Sequence, residues 1–205
     1  MRAELSDSVN KLPHSKKYQM IFFAGPAWVA GSKVSMQKGN KAATVSGERG
    51  HKFKWICGGG AHNWKPDGKK QKAEWIDASD KEIKASGKIV RNDPLVWGTV
   101  WQNPLELAFD MDPLPNVIIF MTDGSTGNKA MATAEKYSKL AKRKGVIINT
   151  ISLMEPKAAV AMKKLAEGSG GTFSLINQEG KKIKAKDLAK KKAKKGKGKK
   201  TGKKK

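Results

Sequence analysis

The chain lacks three features that would narrow its function at once. Cys57 is the only cysteine among 205 residues, so no intrachain disulfide can form and the redox compartment stays open. No apolar run approaches the roughly 18 residues that a membrane-spanning helix needs. The first residues also lack the apolar core of a signal peptide. As written, the sequence predicts a soluble protein without an export signal, cytoplasmic by default.

Acidic residues are scarce as well. The chain has 18 Asp and Glu against 42 Lys and Arg, a formal net charge of +24. Residues 181–205 hold 15 lysines against Asp187 alone, and residues 32–72 hold ten Lys and Arg against Glu48 and Asp67. Like charges repel, and a segment without aromatic side chains has little to bury. We therefore expect residues 178–205 to form a disordered Lys-rich tail.

Residues 116–176 carry the pattern of a parallel α/β sheet. The apolar run 117–121 predicts a strand that ends directly at the tripeptide T-D-G. A helix with 3.6-residue periodicity, a strand at 146–153, a second helix and a strand at 172–176 follow. Strands that alternate with helices at these lengths predict right-handed crossovers and a parallel sheet covered on both faces.

The first half of the chain is less regular. Residues 1–12 read as the end of an amphipathic helix, and residues 18–24 as a buried strand. The segment S-D-K-E at 79–82 is a capping box, which opens a helix to about Val90. Asn103 followed by Pro104 predicts the cap and first residue of another helix.

Residues 31–76 interrupt this pattern and are rich in Gly and Lys. Short alternating pieces such as 52–56 predict a hairpin or excursion with little core of its own. The aromatic residues Phe53, Trp55 and Trp64 lie among its lysines. They either stack on nucleic-acid bases or fold the segment against the rest of the protein.

Two residues stand where ligands bind in open α/β sheets, which is the carboxyl end of the strands. Asp123 follows the strand 117–121, and its carboxylate could coordinate a hard cation together with hydroxyl groups and water. Alternatively, Asp123 closes the turn and caps backbone N–H groups. Thr99, in the loop W-G-T before a predicted helix, reads by itself as a local cap.

The strand that ends in T-D-G, the strand VIINTISL, the closing GGTFSLI and the W-G-T loop together resemble a von Willebrand factor type A (VWA) domain. The resemblance implies a doubly wound, mostly parallel Rossmann-like sheet over residues 1–177, with 31–76 as a basic insertion. It also implies a metal-ion-dependent adhesion site in which Mg²⁺ or Mn²⁺ bridges the domain to an acidic group on a partner protein. Thr99 and Asp123 match two elements of that site.

The third element, D-x-S-x-S after a first strand, is missing. The segment at 7–10 does not fit it and has no apolar strand before it. The resemblance therefore predicts a sheet that lacks its first strand, with a gap between two neighbours and an incomplete metal site. We expect an upstream start of the protein, a strand from another chain, or a domain without activity.

Other chemistry is weakly supported. His51, Cys57 and His62 fit no zinc-finger spacing, and no orienting pair accompanies Cys57 as a nucleophile. Gly58–Gly60 lacks the lysine and hydroxyl residue of a phosphate-binding loop. We expect a non-enzymatic interaction module. The alternative is polyanion or nucleic-acid binding through the insertion and the tail, where the candidate lysines are Lys190, Lys191, Lys192, Lys194 and Lys195.

Overall fold

The computed structural model describes residues 2–47, 50–94, 96–153, 156–177 and 180–183. The helices are α1 (Arg2–Asn10), α2 (Asp80–Asn92), α3 (Gln102–Phe109), α4 (Ala130–Lys144) and α5 (Pro156–Gly168), with short 3₁₀ turns at Lys38–Asn40 and Gly127–Lys129. The strands are β1 (Lys17–Tyr18), β2 (Ile21–Phe23), β3 (Ala27–Val29), β4 (Lys33–Met36), β5 (Ala42–Ser46), β6 (Lys52–Cys57), β7 (Trp64–Asp67), β8 (Ile76–Asp77), β9 (Val117–Thr122), β10 (Ile147–Leu153), β11 (Phe173–Ile176) and β12 (Lys182–Ile183).

The carboxyl half forms the predicted parallel sheet. Strand β10 pairs in parallel with β9 on one side and with β11 on the other, and β12 adds an antiparallel edge. Helices α4 and α5 bury small and apolar residues against Phe120 and Ile148. The apolar runs in the sequence therefore give strands buried by helices, as predicted for α/β proteins.

A second unit of strands lies before this sheet in the chain. Strand β2 pairs antiparallel with β3, and β1 pairs antiparallel with β8. The Lys16 and Met20 carbonyl oxygens accept hydrogen bonds from Ala78 and Ala30. Because alternate backbone groups of a strand point to opposite edges, β3 and β8 occupy the same edge of residues 17–23. The insertion begins after β3 and ends before β8. It therefore interrupts what would otherwise be one continuous strand beside residues 17–23.

The insertion has more structure than the sequence predicted. Strands β4 to β7 form a four-stranded antiparallel sheet in chain order. Trp55 and Trp64 are buried, and they pack with Val45, Trp28 and Val100. The insertion is therefore a four-stranded sheet rather than a single hairpin, and it has little core of its own, because residues outside the insertion complete its core.

Helices lie on both sides of these strands. Tyr18 and Met20 pack against Val9 of α1 and Val90 of α2. Phe23, on the opposite side of its strand, packs against the cluster that holds α3, α4 and α5. Its ring stacks on Phe120 of β9, with centroids 5.3 Å apart. The β2 and β9 units therefore share one core without sharing a ladder.

Two predicted helix caps have different outcomes. The Ser79 hydroxyl accepts a hydrogen bond from the Glu82 N–H, which confirms the start of α2. Asn103 does not cap α3, because that helix already begins at Gln102. Its buried amide donates to the carbonyl oxygens of Gly25 and Trp64 instead. Asn103 thus ties α3 to the insertion.

The spacing of apolar residues predicts a buried stripe on α4 that includes Met131, Ala134 and Tyr137, with Gly145 as the helix stop. Ala134 and Tyr137 confirm this stripe, but Met131 does not. Met131 is exposed, whereas Ala130, Ala134 and Tyr137 are buried. Gly145 ends the helix in the left-handed conformation, with φ 70°, as its position predicted.

Two further predictions concern membrane-spanning helices and the Lys-rich tail. Within the described ranges, no helix is both long and apolar enough to cross a membrane. The tail lysines Lys190, Lys191, Lys192, Lys194 and Lys195 lie outside the described residues.

Candidate functional site

Thr99 and the T-D-G turn meet at the carboxyl edge of the strands. A Cβ atom placed on Gly124 would lie 2.9 Å from Oγ1 of Thr99. Only a residue without a side chain lets the two loops approach so closely. The Trp101 indole N–H donates to the Gly124 carbonyl oxygen at 3.1 Å, which holds the turn against the start of α3. The fold therefore brings Thr99 against the turn that contains Asp123.

Thr122, and not Asp123, closes the turn. The Gly124 N–H donates to Oγ1 of Thr122 at 3.1 Å, and the same hydroxyl lies 3.1 Å from the Gly124 carbonyl oxygen. Asp123 itself is exposed. Among the described residues, no hydrogen bond or ion pair to its carboxylate is found. The interpretation of Asp123 as the turn-closing cap therefore lacks support.

Thr99 is not the cap of α3 either, since no side-chain cap bond is formed at the start of that helix. Its backbone is held by the insertion. The Thr99 N–H donates to the Ala61 carbonyl oxygen at 2.9 Å, and Nδ1 of His62 lies 2.9 Å from the Thr99 carbonyl oxygen. His62 also packs close to Gly127 at the entrance of α4. The insertion thus positions the threonine loop.

Gly98 allows this contact between three segments. Its φ is 105°, in the region that favours glycine. A Cβ atom there would lie 2.8 Å from the Gly25 backbone and 2.9 Å from the Ala61 carbonyl oxygen. The glycine of the W-G-T motif is therefore required by close backbone packing, independently of the threonine that follows it. No local pattern indicated that His62 and Ala61 belong to this corner.

The zinc hypothesis finds no support. The Cys57 thiol donates to the Gly60 carbonyl oxygen at 3.3 Å, and His51 lies on the surface. Within the described ranges, no group of three His, Cys, Asp or Glu side chains is placed to hold a metal ion. Thr99 and Asp123 offer only two ligating side chains, whereas Mg²⁺ takes six ligands. The residues present do not fit a complete cation site.

The lysines within the strands of the insertion share one face of its sheet. The ladders place Lys33 beside Ser46 and Lys52, and Lys54 beside Thr44 and Asp67. Lys65 lies one row further along this face. Phe53, Trp55 and Trp64 point the other way, into the core. The hypothesis that these aromatic residues stack on bases is therefore wrong, because strand alternation buries them.

Comparison with known proteins gives a fold likeness. No family model and no curated protein matches the chain. A solved structure described as von Willebrand factor type A from Catenulispora acidiphila superposes with a TM-score of 0.56 at 14% sequence identity. The match covers 93% of this chain and 35% of that one, so the chain spans about a third of the solved protein's length. At this identity the likeness shows the fold, and it confirms the resemblance drawn from T-D-G and the strands around it.

Proposed function

We propose that the chain is a non-enzymatic protein-interaction module that uses the edge where Thr99 and Asp123 meet. The observation that carries the proposal is the approach of Thr99 to Gly124, together with an Asp123 carboxylate that has no partner among the described residues. An exposed acid and a hydroxyl at the carboxyl end of parallel strands lie where α/β sheets bind ligands. The VWA-like fold supports a role in protein interaction in general.

The corner is an incomplete adhesion site in this proposal. Mg²⁺ or Mn²⁺ would bind to Thr99 and Asp123 only when further oxygen ligands come from outside the described residues, such as an acidic group on the partner. The doubly wound arrangement of a VWA domain would be complete if a strand joined the β2 and β9 units. Neither ion is expected to bind tightly to the chain alone.

Calorimetric titration with Mn²⁺ tests the incompleteness. We expect the wild-type heat to match that of Asp123→Ala, since two ligating side chains do not make a stable site. Saturable binding to the wild type, abolished in Asp123→Ala and kept in the surface control Asp67→Ala, would show that the site is complete.

Binding to an immobilised peptide with a central aspartate tests the interaction itself. We expect binding that requires Mn²⁺, withstands high salt and is abolished in Asp123→Ala and Thr99→Ala, but not in Asp67→Ala. Binding that ignores a chelator or survives removal of the Asp123 carboxylate would contradict the proposal.

Polyanion binding is the alternative function, and the outer face of the insertion favours it. That face holds Lys33, Lys52, Lys54 and Lys65 against Asp67. Lysines that neutralise phosphates release counterions, so affinity falls steeply with salt. The tail lysines would add to this attraction without reading sequence.

Fluorescence anisotropy with a labelled DNA duplex at several salt concentrations tests this alternative. Lys52→Glu with Lys54→Glu should weaken binding and lower the salt slope by about one for each phosphate that is no longer neutralised. Lys139→Glu with Lys142→Glu, on α4, serves as the charge-matched control. Deletion of 184–205, which keeps β12, separates the contribution of the tail lysines from that of the insertion sheet. Equally weakened binding in both double variants would assign the binding to net charge alone.

A further inference from the structure

The antiparallel sheet of the insertion has two edge strands, and one of them is closed. At the β7 edge, the Gly58 N–H donates to the Asn63 carbonyl oxygen, which sets the hydrogen-bond register of the β6–β7 ladder. In that register the backbone groups of Trp64 and Pro66 face outward. Pro66 has no N–H, and the Trp64 carbonyl oxygen accepts the Asn103 amide at 3.3 Å. The β7 edge is therefore closed to a further strand.

The β4 edge is open. The Gln37 N–H donates to the Ala42 carbonyl oxygen at 2.9 Å, so Gln37 and every second residue before it face β5. The N–H and C=O groups of Val34 and Met36 consequently face outward. Among the described residues, no hydrogen bond to these groups is found, and no strand pairs with this side of β4. A row of backbone groups thus lies along this edge without a protein partner.

The side chains of β4 differ between the two faces of the sheet. On one face, Val34 and Met36 are half-buried and pack against the core of the insertion. On the other face, Lys33 is exposed and lies in one row with Lys52. Because side chains alternate along a strand, any strand beside β4 would have one face next to apolar side chains and one next to positive charge.

We propose that the β4 edge binds a strand of a partner protein in which apolar residues alternate with acidic residues. The apolar side chains extend the layer of Val34 and Met36, and the acidic ones lie next to Lys33. Opposite charges on neighbouring strands attract each other. A lysine on an edge strand also opposes pairing with strands that do not neutralise it. The charge of this edge therefore selects an acidic strand.

The same physical argument disfavours two other occupants. A second copy of the chain, paired through its own β4, would bring two lysine-bearing faces side by side, and like charges there repel. Nucleic acid neutralises lysines but offers no peptide groups, and strand addition takes its affinity from main-chain hydrogen bonds. The inference goes beyond the proposed function, because the β4 edge does not use Thr99 or Asp123.

The added strand runs antiparallel to β4. All ladders of the insertion sheet are antiparallel, and this pairing is slightly more stable than the parallel one. Two residues that exchange hydrogen bonds in an antiparallel pair carry their side chains on the same face. The apolar residues of the partner strand are therefore the ones whose backbone groups bond to Val34 and Met36.

A labelled synthetic peptide with about six alternating Val and Glu residues, flanked by Gly and Ser, tests the proposal on the full chain. Fluorescence anisotropy at high salt, with a chelator present, should show binding. A peptide of the same composition, with Val and Glu in separate blocks, should bind at least tenfold more weakly. Methylation of the Val amides should abolish binding, whereas methylation of the Glu amides should leave it largely intact, because those amides face away from β4.

Variants of the chain test the same edge from the other side. Val34→Pro removes the outward N–H without removing a ladder bond to β5, and it should weaken binding at least tenfold. Val34→Ala keeps the N–H and is the matched control, with a smaller effect expected. Lys33→Glu reverses the charge at the edge and should weaken binding at least threefold. Lys139→Glu, exposed on α4, is its charge-matched control and should change little.

Three results would each overturn the proposal. The first is equal binding by the alternating and the blocked peptide, and the second is equal binding by the two methylated peptides. The third is equal weakening in Lys33→Glu and Lys139→Glu, which would assign the binding to net charge alone. Because Lys33→Glu and the methylated peptides do not depend on how Val34→Pro folds, the proposal stays open to contradiction whatever that variant does.

Sedimentation without peptide addresses the second copy. A monomer is expected; a dimer that Val34→Pro dissociates would assign the β4 edge to a second copy and overturn the proposal. Asp123→Ala should bind the peptide as wild type does, since the chelator removes any contribution of Mn²⁺. Failure of this peptide to bind therefore leaves the Asp123-dependent test of the proposed function unaffected, and the converse also holds.

Discussion

The parallel sheet of the carboxyl half and the antiparallel sheet of the insertion bury their cores in different ways. Strands β9 to β11 are covered by α4 and α5, which follow them directly in the chain. The insertion sheet has one lysine-bearing face and one apolar face, and Trp28 and Val100 from outside complete its core. The comparison shows that the parallel sheet takes its core mainly from its own helices, with Phe23 and Trp101 added, whereas the insertion depends on residues outside it.

The largest expected effect tests that dependence. Trp28 is 2% exposed and lies before the insertion in the chain, yet it packs against Trp55 and Val45. Trp28→Ala should lower the free energy of unfolding by about 3–5 kcal/mol, the usual cost of deleting a buried tryptophan. Urea unfolding measures this decrease, and hydrogen exchange should show the amides of 42–57 opening first.

Trp97→Ala is the control for this change. Trp97 is 42% exposed and touches Trp64 edge-on, so its removal should cost about 1 kcal/mol. If 42–57 stays protected in Trp28→Ala, the insertion has an independent core and the comparison fails.

The next largest effect compares the stability cost of one glycine substitution in each of the two regions. A Cβ atom on Gly171, at the entrance to β11, would lie 2.2 Å from the Ile148 carbonyl oxygen. Gly171→Ala should therefore cost about 2–3 kcal/mol through overpacking. In the insertion, Gly59 has φ 102° and open space around it, so Gly59→Ala should cost only about 1 kcal/mol of backbone strain. Thermal unfolding of both variants measures the difference, and a reversed order would contradict it.

The third largest effect tests the hydrogen bonds that connect α3 to the insertion. The buried Asn103 amide donates to Gly25 and Trp64. Asn103→Ala leaves two carbonyl oxygens without this donor and should cost about 1–2 kcal/mol. The exposed Asn128→Ala is the matched control and should change little. Equal stability of the two variants in urea would show that the amide does not couple α3 to the insertion.

The smallest effect depends on pH. Burial raises the pKa of Asp93, against the lowering effects of the Trp28 indole hydrogen bond and the nearby Arg2 charge. A folded-state pKa above the unfolded value gives stability that is present at low pH and is lost as pH rises through the folded pKa. Asp93→Asn should therefore be slightly more stable than wild type at neutral pH. The gap should close below the ordinary aspartate range.

Thermal unfolding at neutral and acidic pH measures this gap, with the exposed Asp67→Asn as the control. A gap that widens in acid would contradict the assigned direction.

Much of the fold could be predicted because the carboxyl half depends on local patterns. An apolar run such as 117–121 predicts a strand, and a glycine such as Gly145 ends a helix, whatever the rest of the chain contains. Met131 was predicted to be buried and is exposed, because at the start of α4, directly after the 3₁₀ turn Gly127–Lys129, Ala130 is buried instead. Asn103 was predicted to be a cap, but it is buried against the insertion, which no local pattern records.

The candidate site shows the same division. Local sequence was enough to establish that T-D-G follows a buried strand and that Thr99 precedes a helix, because these features depend on residues close in the chain. Folding in three dimensions was needed to place Thr99 against Gly124 and to bring His62 behind it. Such contacts join segments tens of residues apart, and their geometry depends on the packing of the whole chain.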